Sequence, residues 1–181
     1  QLSHTAVISL LMNNADVLGA WSGLTVSGAR INLHAALQAT PPPIPQYQTN
    51  SVLASLDVNA VVGTQFTPAV VTTMAGAPNT LTFFSFLQGN AWDLGYGVAP
   101  LIPRNAGALL SAGGQIVNLD LTDPNAGTWF DVMQTSPPFQ NLTLTNFAFP
   151  APQGISAQMI VASPVTLSGI TLSQAVRVVV Q

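Results

Sequence analysis

Residues 155–163 read "ISAQMIVAS" and residues 174–181 read "QAVRVVVQ". Both are short, rich in β-branched residues and alternate with a period of two, and a Gly or Pro stands close by. That is the pattern of a strand that buries one face. Upstream, "SVLASLDVNA", "QFTPAVVTTMAG", "TLTFFSFLQ", "GQIVNLDL" and "NLTLTNFAF" repeat it, each bounded by Gly, Pro or Asn. With weaker segments near Tyr96 and Trp129, the chain holds about nine strands at the spacing of a sandwich. The expected fold class is mainly β: an antiparallel β-sandwich with a short two-helix N-terminal appendage.

The appendage is where the period changes to 3.6. "LSHTAVISLLMNNAD" offers Ser3 as an N-cap, puts Val7, Leu10 and Leu11 on one face, and ends at Asn13 and Asn14. In "ARINLHAALQA", Asn32 can cap a second helix on which Leu33 and Leu37 stack four residues apart. Helices of about ten residues are marginal alone. Burying these five apolar side chains is worth roughly 7–15 kcal/mol before entropy is subtracted, so they are expected at an interface. "TPPPIP" (Thr40–Pro45) then forms a semi-rigid spacer that reaches about 19 Å. The expected organisation is a helical segment 1–39, a Pro-rich linker 40–47 and a β-sandwich 48–181.

Composition narrows the function. The 181 residues are 48% hydrophobic and only 5% charged, with three cations, all Arg, and six anions, all Asp. A net charge of −3 leaves no basic stripe for nucleic acid. No apolar run approaches the roughly 20 residues of a membrane span. There is no Cys, hence no disulfide, thiolate metal site or thiol nucleophile.

Three groups of residues could carry chemistry. Asp120, Asp123, Asn125 and Asp131 surround a Pro-Asn-Ala-Gly turn, and oxygen ligands beside Gly suit calcium, the one cofactor the sequence suggests. Their spacing misses the EF-hand pattern, and a hairpin turn with solvated Asp explains them better. Asn141-Leu142-Thr143 is a glycosylation sequon. Phe83, Phe84, Phe86, Trp92, Tyr96, Trp129 and Phe130 could form a platform for polysaccharide, although alternation consigns some of them to the core.

Residues 1–39 resemble the C-terminal end of the peptidase domain of subtilisin-like serine proteases. The resemblance rests on Leu2, Ser3, Leu10, Leu11, Asn14, Asp16, Leu18, Ser27, Gly28, Arg30, Ile31, Asn32, Ala36 and Leu37. Ala29 replaces the commoner second glycine, and Trp21 sits where an aliphatic residue is usual. In that family the catalytic Ser, His and Asp all lie upstream of this stretch, so the resemblance implies a chain without its triad. Ser3, His4 and Asp16 make a poor substitute, because Ser3 and His4 are neighbours at a helix start. The segment "FPAPQGISAQMIVASPVTLSGITLSQAVRVVV" resembles C-terminal β-sandwich modules of secreted bacterial proteins, which implies an extracellular or cell-surface setting.

These readings define three expectations. The first is a non-catalytic C-terminal region of a secreted subtilisin-like protease, with an accessory role in binding, stability or surface attachment. The second is a self-assembling extracellular structural protein, since low charge means little repulsion between copies and strands such as "AVRVVVQ" lack charged edge guards. The third is a carbohydrate-binding module. The expected partners are a second copy of the chain or a parent peptidase domain.

Overall fold

The computed structural model describes residues 4–19, 29–39, 43–129, 134–135, 141–149 and 153–181. The chain divides into two compact units, Gln1–Ile44 and Pro45–Gln181.

The first unit contains α1 (His4–Asn13), β1 (Asp16–Val17), β2 (Ala29–Arg30) and α2 (Leu33–Ala39). Asn14 ends α1 by donating from Nδ2 to the Leu10 carbonyl at 2.8 Å. The expected cap of α1, Ser3, lies outside the described residues. Asn32 caps α2, its Oδ1 accepting the Ala35 N–H at 2.9 Å, which satisfies one of the free donors of the first turn. The two helices touch each other. No described helix is long and apolar enough to cross a membrane.

The second unit is the sandwich. Its strands are β3 (Ser55–Val58), β4 (Ala69–Thr73), β5 (Pro78–Phe84), β6 (Ala91–Gly97), β7 (Leu109–Leu110), β8 (Ile116–Val117), β9 (Gly127–Thr128), β10 (Gln134–Thr135), β11 (Asn141–Ala148), β12 (Gly154–Ala162) and β13 (Ile170–Val180). One sheet runs β10-β6-β12-β13-β4, with β9 also pairing β6; the other runs β11-β5-β3. β4 lies parallel to β13, and the other pairs are antiparallel. The core forms between the sheets, where Leu56, Val58, Leu81 and Phe83 meet Trp92, Leu94, Met159, Val161, Val176 and Val178. Phe83 and Trp92 join the two layers, with ring centroids 5.4 Å apart.

"GQIVNLDL", read as a strand, pairs only at Ile116 and Val117. Asn118 is fully buried and lies outside any strand; its N–H donates to Gln158 Oε1 of β12 at 3.0 Å, and its side chain bonds to the Gln46–Gln48 segment and to Ile102. The β12–β13 ladder has a related irregularity. Gln158 faces Ala175 while Ile160 faces Leu172, so β13 carries one extra residue, a β-bulge. Side chains satisfy the backbone groups that the bulge frees. Ser173 Oγ accepts the Met159 N–H at 2.9 Å, Gln158 Nε2 donates to the Ser173 carbonyl at 3.0 Å, and Asn50 Oδ1 accepts the Gln174 N–H at 3.0 Å.

The bulge also aims Gln174 at residues 56–63. Its Oε1 accepts the Gly63 N–H at 2.9 Å, and its Nε2 donates to the carbonyls of Leu56 (2.8 Å) and Val61 (3.0 Å) and to Asp57 Oδ1 (3.1 Å). Buried polar groups are tolerated when they are hydrogen-bonded in this way. Here they tie irregular segments to a regular sheet.

Candidate functional site

In the first unit, β1–β2 pairing sets Asp16 opposite Arg30. Arg30 Nε donates to Asp16 Oδ2 at 3.1 Å, and Asn32 Nδ2 donates to Asp16 Oδ1 at 2.8 Å. The bond from Asn32 and then that from Arg30 hold the Asp16 carboxyl below its usual pKa. One Asn thus caps α2 with its oxygen and anchors the carboxylate with its nitrogen. Asp16 meets Arg30 and Asn32, 14 and 16 positions further along the chain, in a single latch. Of the apolar residues expected at an interface, Leu10 and Leu11 are half-buried, whereas Val7, Leu33 and Leu37 are exposed in the single chain. His4 and His34 are exposed as well.

The acidic loop of the second unit brings some of the calcium candidates together. Asp123 Oδ1 accepts the Asn125 N–H at 2.9 Å and Asn125 Nδ2 at 3.2 Å. Asp120 Oδ1 accepts the Thr122 N–H at 2.9 Å and its hydroxyl at 2.6 Å. Asp131 lies outside the described residues. Among the described residues, no group of three or more His, Cys, Asp or Glu is placed to hold a metal ion.

Asp123 reaches further than the loop. Its Oδ2 accepts the N–H groups of Val98 and Ala99 at 2.7 and 2.8 Å. From β13, Arg177 Nη1 donates to the carbonyls of the same two residues, both at 2.8 Å, and to Ser156 Oγ at 3.0 Å. A carboxylate therefore holds the N–H groups of one dipeptide while a guanidinium holds its carbonyls. Two glycines make the room: a Cβ on Gly97 would lie 2.9 Å from Asp123 Oδ2, and a Cβ on Gly154 would fall on the Arg177 guanidinium. The Ala99 and Asn125 N–H groups lead the interactions that hold the Asp123 carboxyl below its usual pKa. Burial lowers the Arg177 pKa, and the Asp123 charge opposes that shift.

A pH dependence follows. A folded pKa below the unfolded one gives stability that is present above the unfolded value and lost as pH falls through the folded one. Asp57 has the opposite sign, because burial raises its pKa against the hydrogen bond from Asn50; its contribution is present at low pH and lost on rising through the folded value. Thermal melts between about pH 2 and pH 7 should show wild type losing stability below about pH 4. Asp123→Asn should melt lower at neutral pH and fall less steeply on acidification. Parallel curves for the two proteins would place the acid sensitivity elsewhere.

Asn141 is exposed at the first position of β11, and Thr143 Oγ1 donates to its Oδ1 at 3.2 Å. The aromatic residues divide. Phe83 and Trp92 are core, and Phe84 and Phe86 form an edge-on pair with centroids 5.1 Å apart. Tyr96 and Trp129 border an apolar cleft of about 350 Å³ that opens between the sheets against Leu56, Leu81, Phe147 and Val178. Phe130 lies outside the described residues. The aromatics thus do not share one face.

Sequence reasoning missed the buried amides around Asn118. Its Oδ1 accepts the Gln48 N–H at 2.8 Å, and its Nδ2 donates to the carbonyls of Gln46 at 3.1 Å and Ile102 at 2.7 Å. Gln48 Oε1 accepts the Ile116 N–H at 2.9 Å. Gln115 pairs its amide with β13 like a strand backbone, donating to the Ile170 carbonyl at 2.9 Å and accepting the Leu172 N–H at 2.7 Å. No local pattern marks Asn118 as an anchor, because the face it shares with Ile116 also carries Gly114 and Asp120. No protein-family model, curated protein or solved structure matches this chain.

Proposed function

We propose that this chain is the non-catalytic C-terminal region of a secreted subtilisin-like protease, in which the sandwich has an accessory extracellular role. The latch in the first unit carries the reading. Asp16, Arg30 and Asn32 are three of the positions on which the resemblance rests, and they meet through specific hydrogen bonds rather than as scattered coincidences. In a complete protease of this class the two helices would lie against the peptidase body. The exposed Val7, Leu33 and Leu37 suit that surrounding. Catalysis would then belong to the upstream domain, and this chain would hydrolyse nothing by itself. The coding sequence upstream of Gln1 tests the proposal. A peptidase domain bearing the Ser, His and Asp triad supports it, and a signal peptide directly before Gln1 overturns it.

The second reading, self-assembly, is favoured by the breadth of that apolar surface. Ile8, Met12, Val17 and Ile31 are exposed along with Val7, Leu33 and Leu37, and exposed apolar surface is where partners dock. Docking on a second copy would cover it. Under this reading, light scattering at about 100 μM shows a dimer or larger species, and the double substitution Leu33→Asp, Leu37→Asp returns it to a monomer. A wild-type monomer at that concentration removes the reading.

A further inference from the structure

Of the three cations in the chain, two are engaged. Arg30 pairs with Asp16, and Arg177 grips Val98 and Ala99. Arg104 is different. It is half-buried, yet its guanidinium has no hydrogen bond or ion pair among the described residues. It lines a polar cleft of about 250 Å³ whose walls include Tyr47, Thr49, Gln65, Gly113 and Gly114. The side chains of Tyr47, Thr49 and Gln65 are likewise without hydrogen bonds to described residues. In a chain whose buried amides are so fully engaged, four unengaged polar side chains around one cavity are a distinct arrangement.

The walls are held in place by the amide network. The Arg104 N–H donates to the Gln46 carbonyl at 3.0 Å, and the Asn105 N–H donates to Gln46 Oε1 at 2.9 Å. The N–H groups of Gln46 and Tyr47 both reach the Gln65 carbonyl, at 2.7 and 3.1 Å. Asn118 joins the Gln46–Gln48 segment to Ile102, and the Ser111–Gln115 turn closes the far side through the Gly114 N–H to the Ser111 carbonyl at 2.8 Å. A site held this way loses little freedom on binding.

We propose that this cleft binds the carboxylate of an acidic sugar, a uronic acid residue of a polysaccharide. A guanidinium fork matches a carboxylate in shape and charge. Hydroxyl and amide groups that can both donate and accept suit the ring hydroxyls of a sugar, and Tyr47 adds an aromatic body to the same wall. A single cation in a chain of net charge −3 favours a monoanion over a phosphate or sulfate polyanion. The cleft volume lies just below the roughly 300–1,000 Å³ of drug-sized ligand sites, which suits one sugar unit.

Titration of the full chain with galacturonate, followed by amide chemical shifts or calorimetry, tests the assignment. Saturable binding with a dissociation constant of about 1 mM is expected, with shifts centred on Tyr47, Arg104 and Gly113. Arg104→Gln should weaken binding about tenfold or more with an unchanged melting temperature, and the methyl ester of galacturonate should bind as weakly as the variant does to the acid. Absence of saturable binding, equal binding by the ester, or undiminished binding by Arg104→Gln overturns the proposal. Tighter binding of inorganic phosphate than of galacturonate overturns the sugar assignment.

Discussion

Asn118→Ala should destabilise the sandwich by about 3–4 kcal/mol. The side chain is fully buried and makes three hydrogen bonds to backbone groups of separate segments. Truncation strands the Gln48 N–H and removes the side-chain partner of the Ile102 carbonyl; each buried group left unsatisfied costs about 1–3 kcal/mol. The Gln46 carbonyl keeps the Arg104 N–H, so the three losses do not simply add. For a unit of this size the change corresponds to a fall in melting temperature of roughly 8–14 °C. Asn118→Asp separates the donor role from the acceptor role. A carboxylate can still accept the Gln48 N–H but cannot donate to either carbonyl, so it should also be destabilised. Urea unfolding of the three proteins decides the point, and a loss below about 1 kcal/mol would mean that the network repairs itself around the gap. The cleft at Arg104 adds a second readout, since both its walls are tied to Asn118. A destabilised but folded Asn118→Ala protein should bind galacturonate more weakly than wild type.

The network explains which parts of the fold were legible in the sequence. β12 and the second half of β13 follow the alternation of "ISAQMIVAS" and "QAVRVVVQ", with Val176, Val178 and Val180 turned to the core and Arg177 to the other face. Asn32 and Asn14 do at the helix ends what their side chains suggest. The bulge at Gln174 was not legible, because Asn50, the partner of the Gln174 N–H, is more than a hundred positions away. The acidic loop shows the same limit. Spacing groups the oxygens of Asp120, Asp123 and Asn125, but no local pattern tells that Asp123 Oδ2 is held by the N–H groups of Val98 and Ala99. Likewise Arg104 looks like any other cation until Gln46, Gln65 and Asn118 bring its cleft together. Period and capping are local properties. The polar contacts that shape the sites join residues distant along the chain, and one sequence does not encode their pairing in any visible spacing.

Gly154→Ala tests the grip on Val98 and Ala99 and should cost about 2–3 kcal/mol. Gly154 sits at the start of β12, and the added methyl would occupy the position of the Arg177 guanidinium. A flexible Arg can swing away from a methyl group at little cost when its head is unengaged. Here the head is bonded to the Val98 and Ala99 carbonyls and to Ser156 Oγ, and moving it breaks all three bonds. Hydrogen bonds to a charged donor are worth about 1.5–3 kcal/mol each, and partial exposure with solvent replacement brings the total for the three down to about 2–3 kcal/mol. The alternative is that alanine acts through strand conformation alone. A double-mutant cycle distinguishes the two. If the guanidinium is the obstacle, Gly154→Ala should cost less than about 0.5 kcal/mol in an Arg177→Met background, a coupling of about 1.5–2.5 kcal/mol. Additive effects would assign the glycine to backbone geometry and leave Arg177 free to relocate. The coupled result would mean that Gly154 is retained for the space above it, because the Arg177 guanidinium has to lie across that space to reach the Val98 and Ala99 carbonyls.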